Sequence, residues 1–288
     1  MLQEEMIQPE YEKKGYLKET YRLFYLKDQE PKEYENHYHE FDKIIFCISG
    51  TVRYTIEGKS YDLLPNDIVL VHNGDVHKVL ISNDTPYERI VFYLSPNRLS
   101  KYDYKSFHID ECFQLAKKRY SNVIRAQEWK QNHLYQTAML LKDSLLRENS
   151  QDDEYLYRKT LFLQFMIHLN RAMKEEQVIY VDTLHCNRKI VEIIRYINEH
   201  LTEEMKIETL ASGFYISKYH MMRLFKAETG YTIGNYINHK RLLYARGLLL
   251  QGETVTQACF LSGFQDHSTF SRAYKQLFGV TPVKSRLL

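Results

Sequence analysis

Cysteine is scarce in this 288-residue chain: Cys47, Cys112, Cys186 and Cys259 are scattered, with no Cys-x-x-Cys spacing. That pattern excludes a disulfide framework and a cysteine zinc site, and reads as reduced thiols buried in cores. No run approaches 18 apolar residues, so no membrane-spanning helix is expected. The opening Met1-Leu2-Gln3-Glu4-Glu5 is acidic, unlike a secretory leader, and a cytoplasmic location is the expectation. The chain also lacks a Gly-rich phosphate loop and any pairing of a nucleophile with a base. No catalysis and no cofactor are expected.

A large excess of one charge is missing as well, but the total hides an asymmetry. The whole chain carries +2, whereas residues 180–288 hold 14 Lys and Arg against 9 Asp and Glu, a net of +5. The remainder is slightly acidic, so a polyanionic partner suits only the C-terminal part. The hydrophobic content of 44% and charged content of 26% are those of a soluble globular protein, long enough for two domains with separate cores.

The densest stretch runs from Cys259 to Lys275. It reads as a short helix ending near Ser262, a turn at Gly263 and a second helix capped by Asp266. Phe270, Tyr274 and Leu277 recur at i, i+4 and i+7 and are expected to face inward. His267, Ser268, Thr269, Arg272 and Lys275 remain outside: short polar groups and cations, with no acid among them. Such a face suits the DNA major groove, where bases are read by hydrogen bonds and phosphates by positive charge.

This unit occurs twice. Ile207, Leu210, Ala211 and Ile216 match Val255, Ala258, Cys259 and Phe264 at an offset of 48, and Arg223, Phe225, Lys226, Gly230 and Thr232 match Arg272, Tyr274, Lys275, Gly279 and Thr281 at 49. One residue is gained in the second turn. In the first copy Ser217 is the expected cap, Met221, Leu224 and Phe225 face the core, and Lys218, Tyr219, Met222, Arg223 and Lys226 point outward. A guanidinium such as that of Arg223 pairs with guanine through two hydrogen bonds, for about 1–3 kcal/mol of discrimination.

Residues from about 187 to 288 resemble the DNA-binding domain of the AraC/XylS family of bacterial transcription regulators. The resemblance rests on Ile207-x-x-Leu210-Ala211, Ser217, Arg223-x-Phe225-Lys226-x-x-x-Gly230 and Arg241 with Ala245 and Leu249. It continues through Gly263-Phe264-x-Asp266-x-Ser268-x-Phe270-Ser271-Arg272 and Gly279-Val280-Thr281-Pro282-x-x-x-Arg286. Cys259 stands where the family usually has Ala, and Tyr274 where it has Phe. The resemblance implies two helix-turn-helix motifs joined by a long helix, Ile233–Leu250, that meet successive major grooves about 34 Å apart. It also implies a small effector sensed by the N-terminal domain, a homodimer, and RNA polymerase as partner of an activator.

N-terminal to this domain the texture is first β, then helical. Lys43–Ser49, Thr51–Glu57, Lys59–Leu64, Asp67–His72, His77–Ile81 and Arg89–Leu94 are short apolar-rich segments about ten residues apart, broken by Gly50, Gly58, Pro65-Asn66 and Asn73-Gly74. That spacing suggests a barrel or jelly roll over about 21–95. Residues 1–20 read either as a flexible arm or as the approach to an edge strand at Tyr21–Leu26. Helices are expected over about 110–175. Leu134, Ala138, Leu141 and Leu145 form one seam on a helix spanning about 127–149, and Leu161, Phe165 and Leu169 form another. Such a pair either closes the barrel's open side or forms a dimer seam, and the family resemblance implies both roles, with the 127–149 helix as the dimer contact.

The expected architecture is therefore a cupin-like β-barrel with a helical hairpin over 1–176, a linker over 177–187 and an all-α domain over 188–288. His37 and His39 share one strand face with Phe41 and Lys43, and His77 lies on a facing strand. This resembles the cupin fold, in which such histidines converge inside the barrel. Metal-binding cupins usually have Glu where this chain has Lys43, so no metal is expected. His37, His39, Lys43, Arg53, Tyr54, His77 and Tyr93 are instead the candidate contacts of an effector, a sugar or a related metabolite.

Overall fold

The computed structural model describes residues 17, 19–82, 85–96, 98–126, 132–147, 152–183 and 185–286. It divides into two compact units, one of residues 1–56 and 60–185 and the other of 57–59 and 186–288. No helix among the described residues is long and apolar enough to cross a membrane.

The first unit is built on two antiparallel sheets. Its strands are β1 (Tyr21–Asp28), β2 (Lys32–Glu33), β3 (Asp42–Ser49), β4 (Val52–Ile56), β5 (Lys59–Leu63), β6 (Ile68–Val71), β7 (His77–Ile81) and β8 (Tyr87–Leu94), followed later by β9 (Val123–Ala126), β10 (Val178–Tyr180) and β11 (His185–Cys186). The six-stranded sheet runs β1-β8-β3-β6-β9-β10 and the five-stranded sheet β11-β5-β4-β7-β2. The central strands of the larger sheet are buried on both faces, which explains their near-continuous apolar runs. On β3, Ile45 and Cys47 face inward with Phe41, Tyr54, Val69 and Val91. Ile44 and Phe46 face the other way, onto helices.

Those helices are α1 (Glu111–Lys118), α2 (His133–Leu146) and α3 (Asp152–Lys174). Leu134, Ala138 and Leu141 of α2 and Phe162, Phe165, Met166 and Leu169 of α3 join Phe92 and Ile90 in one core. The Phe165 ring stacks on Phe92 with centroids 4.4 Å apart. The seam read from sequence is thus in place, although α2 begins at His133; residues 127–131 and 148–149 of the expected helix lie outside the described set.

Two expectations differ from the structure. The sheet does not end near residue 95, because β9 and β10 extend it. Residues 177–187, read as a linker, carry β10, which pairs with β9 through Val178 opposite Ala126. An ion pair to a fully buried carboxylate secures that extension: Arg125 of β9 donates Nε and Nη2 to Asp67 at 2.7 and 2.8 Å.

The second unit is helical: α4 (Arg188–Glu199), α5 (Ile207–Gly213), α6 (Lys218–Thr229), α7 (Ile233–Leu250), α8 (Val255–Leu261), α9 (His267–Phe278) and α10 (Pro282–Arg286). Side chains cap these helices at their starts. Asn187, Ser217, Thr232, Thr254 and Asp266 each accept from a backbone N–H in the first turn, and Thr254 forms a reciprocal capping box with Gln257. Gly230 and Gly279 end α6 and α9 in the left-handed conformation.

Candidate nucleic-acid interface and barrel cluster

The two copies of the sequence repeat fold into two helix-turn-helix units with matching parts. In each, a seven-residue helix (α5 or α8) precedes a twelve-residue helix (α6 or α9). The inserted residue falls in the second turn, between Phe264 and Asp266. Met221 and Phe225 anchor α6, the Phe225 ring lying edge-on to Tyr236 of α7 at 5.3 Å. Phe270, Tyr274 and Phe278 anchor α9 together with Leu242, Ala245 and Leu249 of α7. Leu277, read as part of that buried stripe, is only partly buried; Phe278 takes the place.

With those faces turned inward, the remaining faces are fixed. On α6, Tyr219, His220, Arg223 and Lys226 are exposed, Tyr219 to 83%, and Met222 is partly exposed. On α9, His267, Ser268, Thr269, Arg272 and Lys275 are all exposed. Each helix therefore presents an arginine and a lysine three residues apart, beyond a polar first turn. Two sequence candidates have other partners. Lys218 is paired with Glu208 of α5, and the Ser217 hydroxyl accepts from His220 N. The Arg223 guanidinium lies 3.2 Å from His220 Nδ1, which aims it along the exposed face. Tyr215, 92% exposed in the first turn with φ 51°, is a further surface group that no periodicity announces, since it lies between the two helices.

Gly263 has a structural role that its sequence context only hinted at. Its φ is +88°, and a Cβ there would lie 2.9 Å from Thr202 Cα and from Thr202 O, and 3.0 Å from Arg241 Nε. Arg241 in turn donates to Leu201 O and Glu203 O at 2.8 and 2.6 Å. The second turn thus packs backbone to backbone against the loop after α4, with the α7 arginine clamping that loop.

In the barrel, the structure brings together six of the seven candidate side chains. His37 and His77 exchange two backbone hydrogen bonds, N to O at 3.0 Å and 2.8 Å, so their rings face each other with centroids 4.3 Å apart. His39 follows on the same face, 5.0 Å from His37 and 5.3 Å from His77, and stacks on Phe41. One ligand atom from each imidazole lies within 4.8 Å of the others. Lys43 Nζ reaches the Tyr54 hydroxyl at 3.4 Å and lies 5.9 Å from the centre of the Tyr93 ring. Arg53 is the exception. It alternates with the buried Val52 and Tyr54, so it points outward and pairs with Asp62 through two hydrogen bonds.

Burial sets the electrostatics of this cluster. It holds His39 and His77 well below the ordinary imidazole value, with Lys43 adding to the effect. Lys43 itself is pushed down to about 7 by burial and by the Arg89 charge. At neutral pH the three rings are therefore uncharged, each with one nitrogen bearing a lone pair. Three neutral imidazoles are donors of a kind that a transition metal accepts. Among the described residues no carboxylate joins the group, and Lys43 brings an ammonium close to it.

A family model for the AraC-like ligand binding domain matches residues 23–166, and one for a helix-turn-helix domain matches residues 210–287. The transcriptional activator RhaS of Escherichia coli is 24% identical over 254 residues, covering 87% of this chain and 86% of RhaS. Among solved structures, ToxT of Vibrio cholerae is similar over 93% of this chain and 97% of its own, at 16% identity and a TM-score of 0.39. The AraC-type regulator from Chromobacterium violaceum covers 35% of this chain and 90% of its own, at 28% identity and a TM-score of 0.33. With an N-terminal ligand-binding domain and a C-terminal pair of helix-turn-helix units, the chain belongs to the AraC family of DNA-binding transcription regulators.

Proposed function

We propose that this regulator reads two adjacent major-groove sites with α6 and α9, under the control of a small polyhydroxylated effector in the barrel. The observation that carries the reading is the repeated helix face, with Arg223 and Lys226 on α6 and Arg272 and Lys275 on α9 at equivalent positions. Tyr219, Met222 and His267, Ser268, Thr269 complete the two contact sets, the first apolar enough to pack on thymine methyls. Arg223→Ala and Arg272→Ala each weaken binding to the protein's own promoter region by about 1–3 kcal/mol, and binding falls steeply with salt as counterions are released. Unchanged affinity in both variants at physiological salt contradicts this assignment.

For the effector, His37, His39, His77, Lys43, Tyr54 and Tyr93 are the contact set. An ammonium donates to a hydroxyl and an aromatic face covers a sugar ring, which supports a sugar or sugar-derived metabolite. Binding shifts the population between two promoter-bound arrangements of a homodimer, with RNA polymerase recruited by one of them. The dimer forms through α2, whose Leu140 and Leu146 are exposed. The reading is of a cytoplasmic regulator without a catalytic step. Thermal unfolding against a sugar panel tests it. At 100 times its dissociation constant a true effector adds about 2.7 kcal/mol, and the same compound changes promoter affinity. A sugar that shifts unfolding without changing promoter affinity contradicts the regulatory role.

A further inference from the structure

The two helix-turn-helix units part company at one position of their turns. Tyr215 stands where the second copy has Gly263, at the offset of 48 that relates the two turns. The backbone is left-handed at both, with φ 51° at Tyr215 and +88° at Gly263. Glycine takes that conformation freely, whereas a tyrosine is strained in it. Nothing in the fold recovers the loss. The Tyr215 ring is 92% exposed, so it buries little apolar surface, and its hydroxyl has no hydrogen-bond partner among the described residues. A strained residue kept at the surface points to a use outside the fold.

Strain alone would assign nothing, since Tyr120 of the first unit is also exposed and has φ 54°. The setting of Tyr215 is what differs. Lys189 of α4 is exposed, and its Nζ lies 3.4 Å from the Tyr215 carbonyl oxygen, the length of a weak hydrogen bond. Lys189 has no acidic partner among the described residues. A free ammonium and a free phenol therefore stand side by side, and Tyr219 and Arg223 follow at steps of four on the exposed part of α6. A cation next to a neutral hydroxyl donor, with an aromatic face to cover a sugar, matches the sugar-phosphate backbone of DNA.

We propose that Tyr215 and Lys189 clamp the DNA backbone beside the α6 site, a contact that rests on the reading of α6 as a major-groove helix. The Tyr215 hydroxyl donates to a phosphate oxygen, its ring covers the adjoining deoxyribose, and Lys189 neutralises the phosphate. Such contacts fix register and carry no sequence information. The second unit has no equivalent, because Gly263 packs against Thr202 and leaves no room for a side chain. The two units thus hold DNA unequally: the first by backbone and bases, the second without this clamp.

The experiment measures binding of the full-length protein to its own promoter region and to an unrelated duplex, by fluorescence anisotropy over a salt series, with urea unfolding of each variant. Tyr215→Gly raises the urea midpoint yet weakens binding to both duplexes by about tenfold, a combination that misfolding cannot produce. Tyr215→Phe, which keeps the ring and the backbone strain, loses most of the same factor. Lys189→Gln weakens binding to both duplexes and lowers the slope of log affinity against log salt by about one. Tyr120→Gly leaves both affinities unchanged. Unchanged affinity in Tyr215→Gly overturns the proposal, as does a urea midpoint below the parent's or a loss confined to the promoter, which would make Tyr215 a reader of bases. If Arg223→Ala weakens promoter binding while the Tyr215 and Lys189 variants do not, the clamp alone fails. If Arg223→Ala is also without effect, the reading of α6 fails with it.

Discussion

Replacing Gly263 with alanine separates two costs that a turn glycine usually confounds. One is the left-handed backbone, which charges any residue with a Cβ about 1–2 kcal/mol. The other is space. At Gly263 the new methyl would press on the Thr202 backbone at 2.9 Å and on Arg241 Nε at 3.0 Å. Backbone cannot swing aside as a side chain does, so the second turn must part from the loop after α4. That movement strains both hydrogen bonds from Arg241 to Leu201 O and Glu203 O. Losing about one of them adds about 1–3 kcal/mol, because Arg241 is charged. The total for Gly263→Ala is about 2–5 kcal/mol. Gly279 supplies the control, with φ +71° and nothing within 4 Å of a methyl placed on its Cα. There only the backbone cost applies, and Gly279→Ala costs about 1–2 kcal/mol. Urea unfolding of both full-length variants, followed by circular dichroism of the helical unit, measures the difference. Equal losses in the two variants would show that the close approach to Thr202 carries no weight, and the steric argument would fall.

The barrel unit supplies three more tests. Arg125→Met strips the fully buried Asp67 carboxylate of its guanidinium partner while the Leu64 N–H still donates to it. The loss is about 3 kcal/mol in urea unfolding, and adding Asp67→Asn recovers part of it. Phe165→Ala empties the stack on Phe92 and the core behind the large sheet, for about 3–5 kcal/mol by the same assay. Glu88 is held down to about 2, chiefly by its hydrogen bond to Lys27, with Lys142 and Tyr25 assisting. A depressed carboxyl stabilises the fold above its unfolded value near 4.5 and loses that contribution as pH falls towards 2. Glu88→Gln is therefore less stable than the parent at pH 7, and the gap closes in acid. A gap that persists at pH 2 would speak against this role for Glu88.

The helical unit was the most legible part of the chain because its signals are local and occur twice. Caps at Ser217 and Asp266, left-handed glycines at 230 and 279 and cations at a fixed offset all lie within a dozen or so residues of one another in each copy. The strands of the barrel were legible from their spacing, since turns at Gly50, Gly58 and Asn73-Gly74 punctuate them. β9 and β10 were not. They hold four and three residues, too few to show a period, and their place in the sheet depends on partners far along the chain. Arg125 meets Asp67 across 58 residues, and no local pattern announces such a pair.

The barrel cluster was legible in its residue types but not in its chemistry. Alternation expected along one strand named His37, His39 and Lys43 together, although only Lys43 lies on β3 and His37 meets His77 through an isolated bridge before that strand. The same alternation argues against Arg53, because a neighbour of inward-facing Tyr54 must face outward. Which imidazole nitrogen is left bare could not be read from the residues. That is decided by the Glu35 and Asp75 carbonyls, and a backbone acceptor leaves no mark on residue identity.

Above all, the two helix-turn-helix units are taken to read DNA side by side, and hydroxyl-radical footprinting on the protein's own promoter puts that to the test. Two protected stretches are expected on one face of the duplex, about one helical turn apart for each protein copy. Arg223→Ala erases protection at one of them and Arg272→Ala at the other. A single protected stretch, indifferent to one of these substitutions, would mean that only one unit reads DNA.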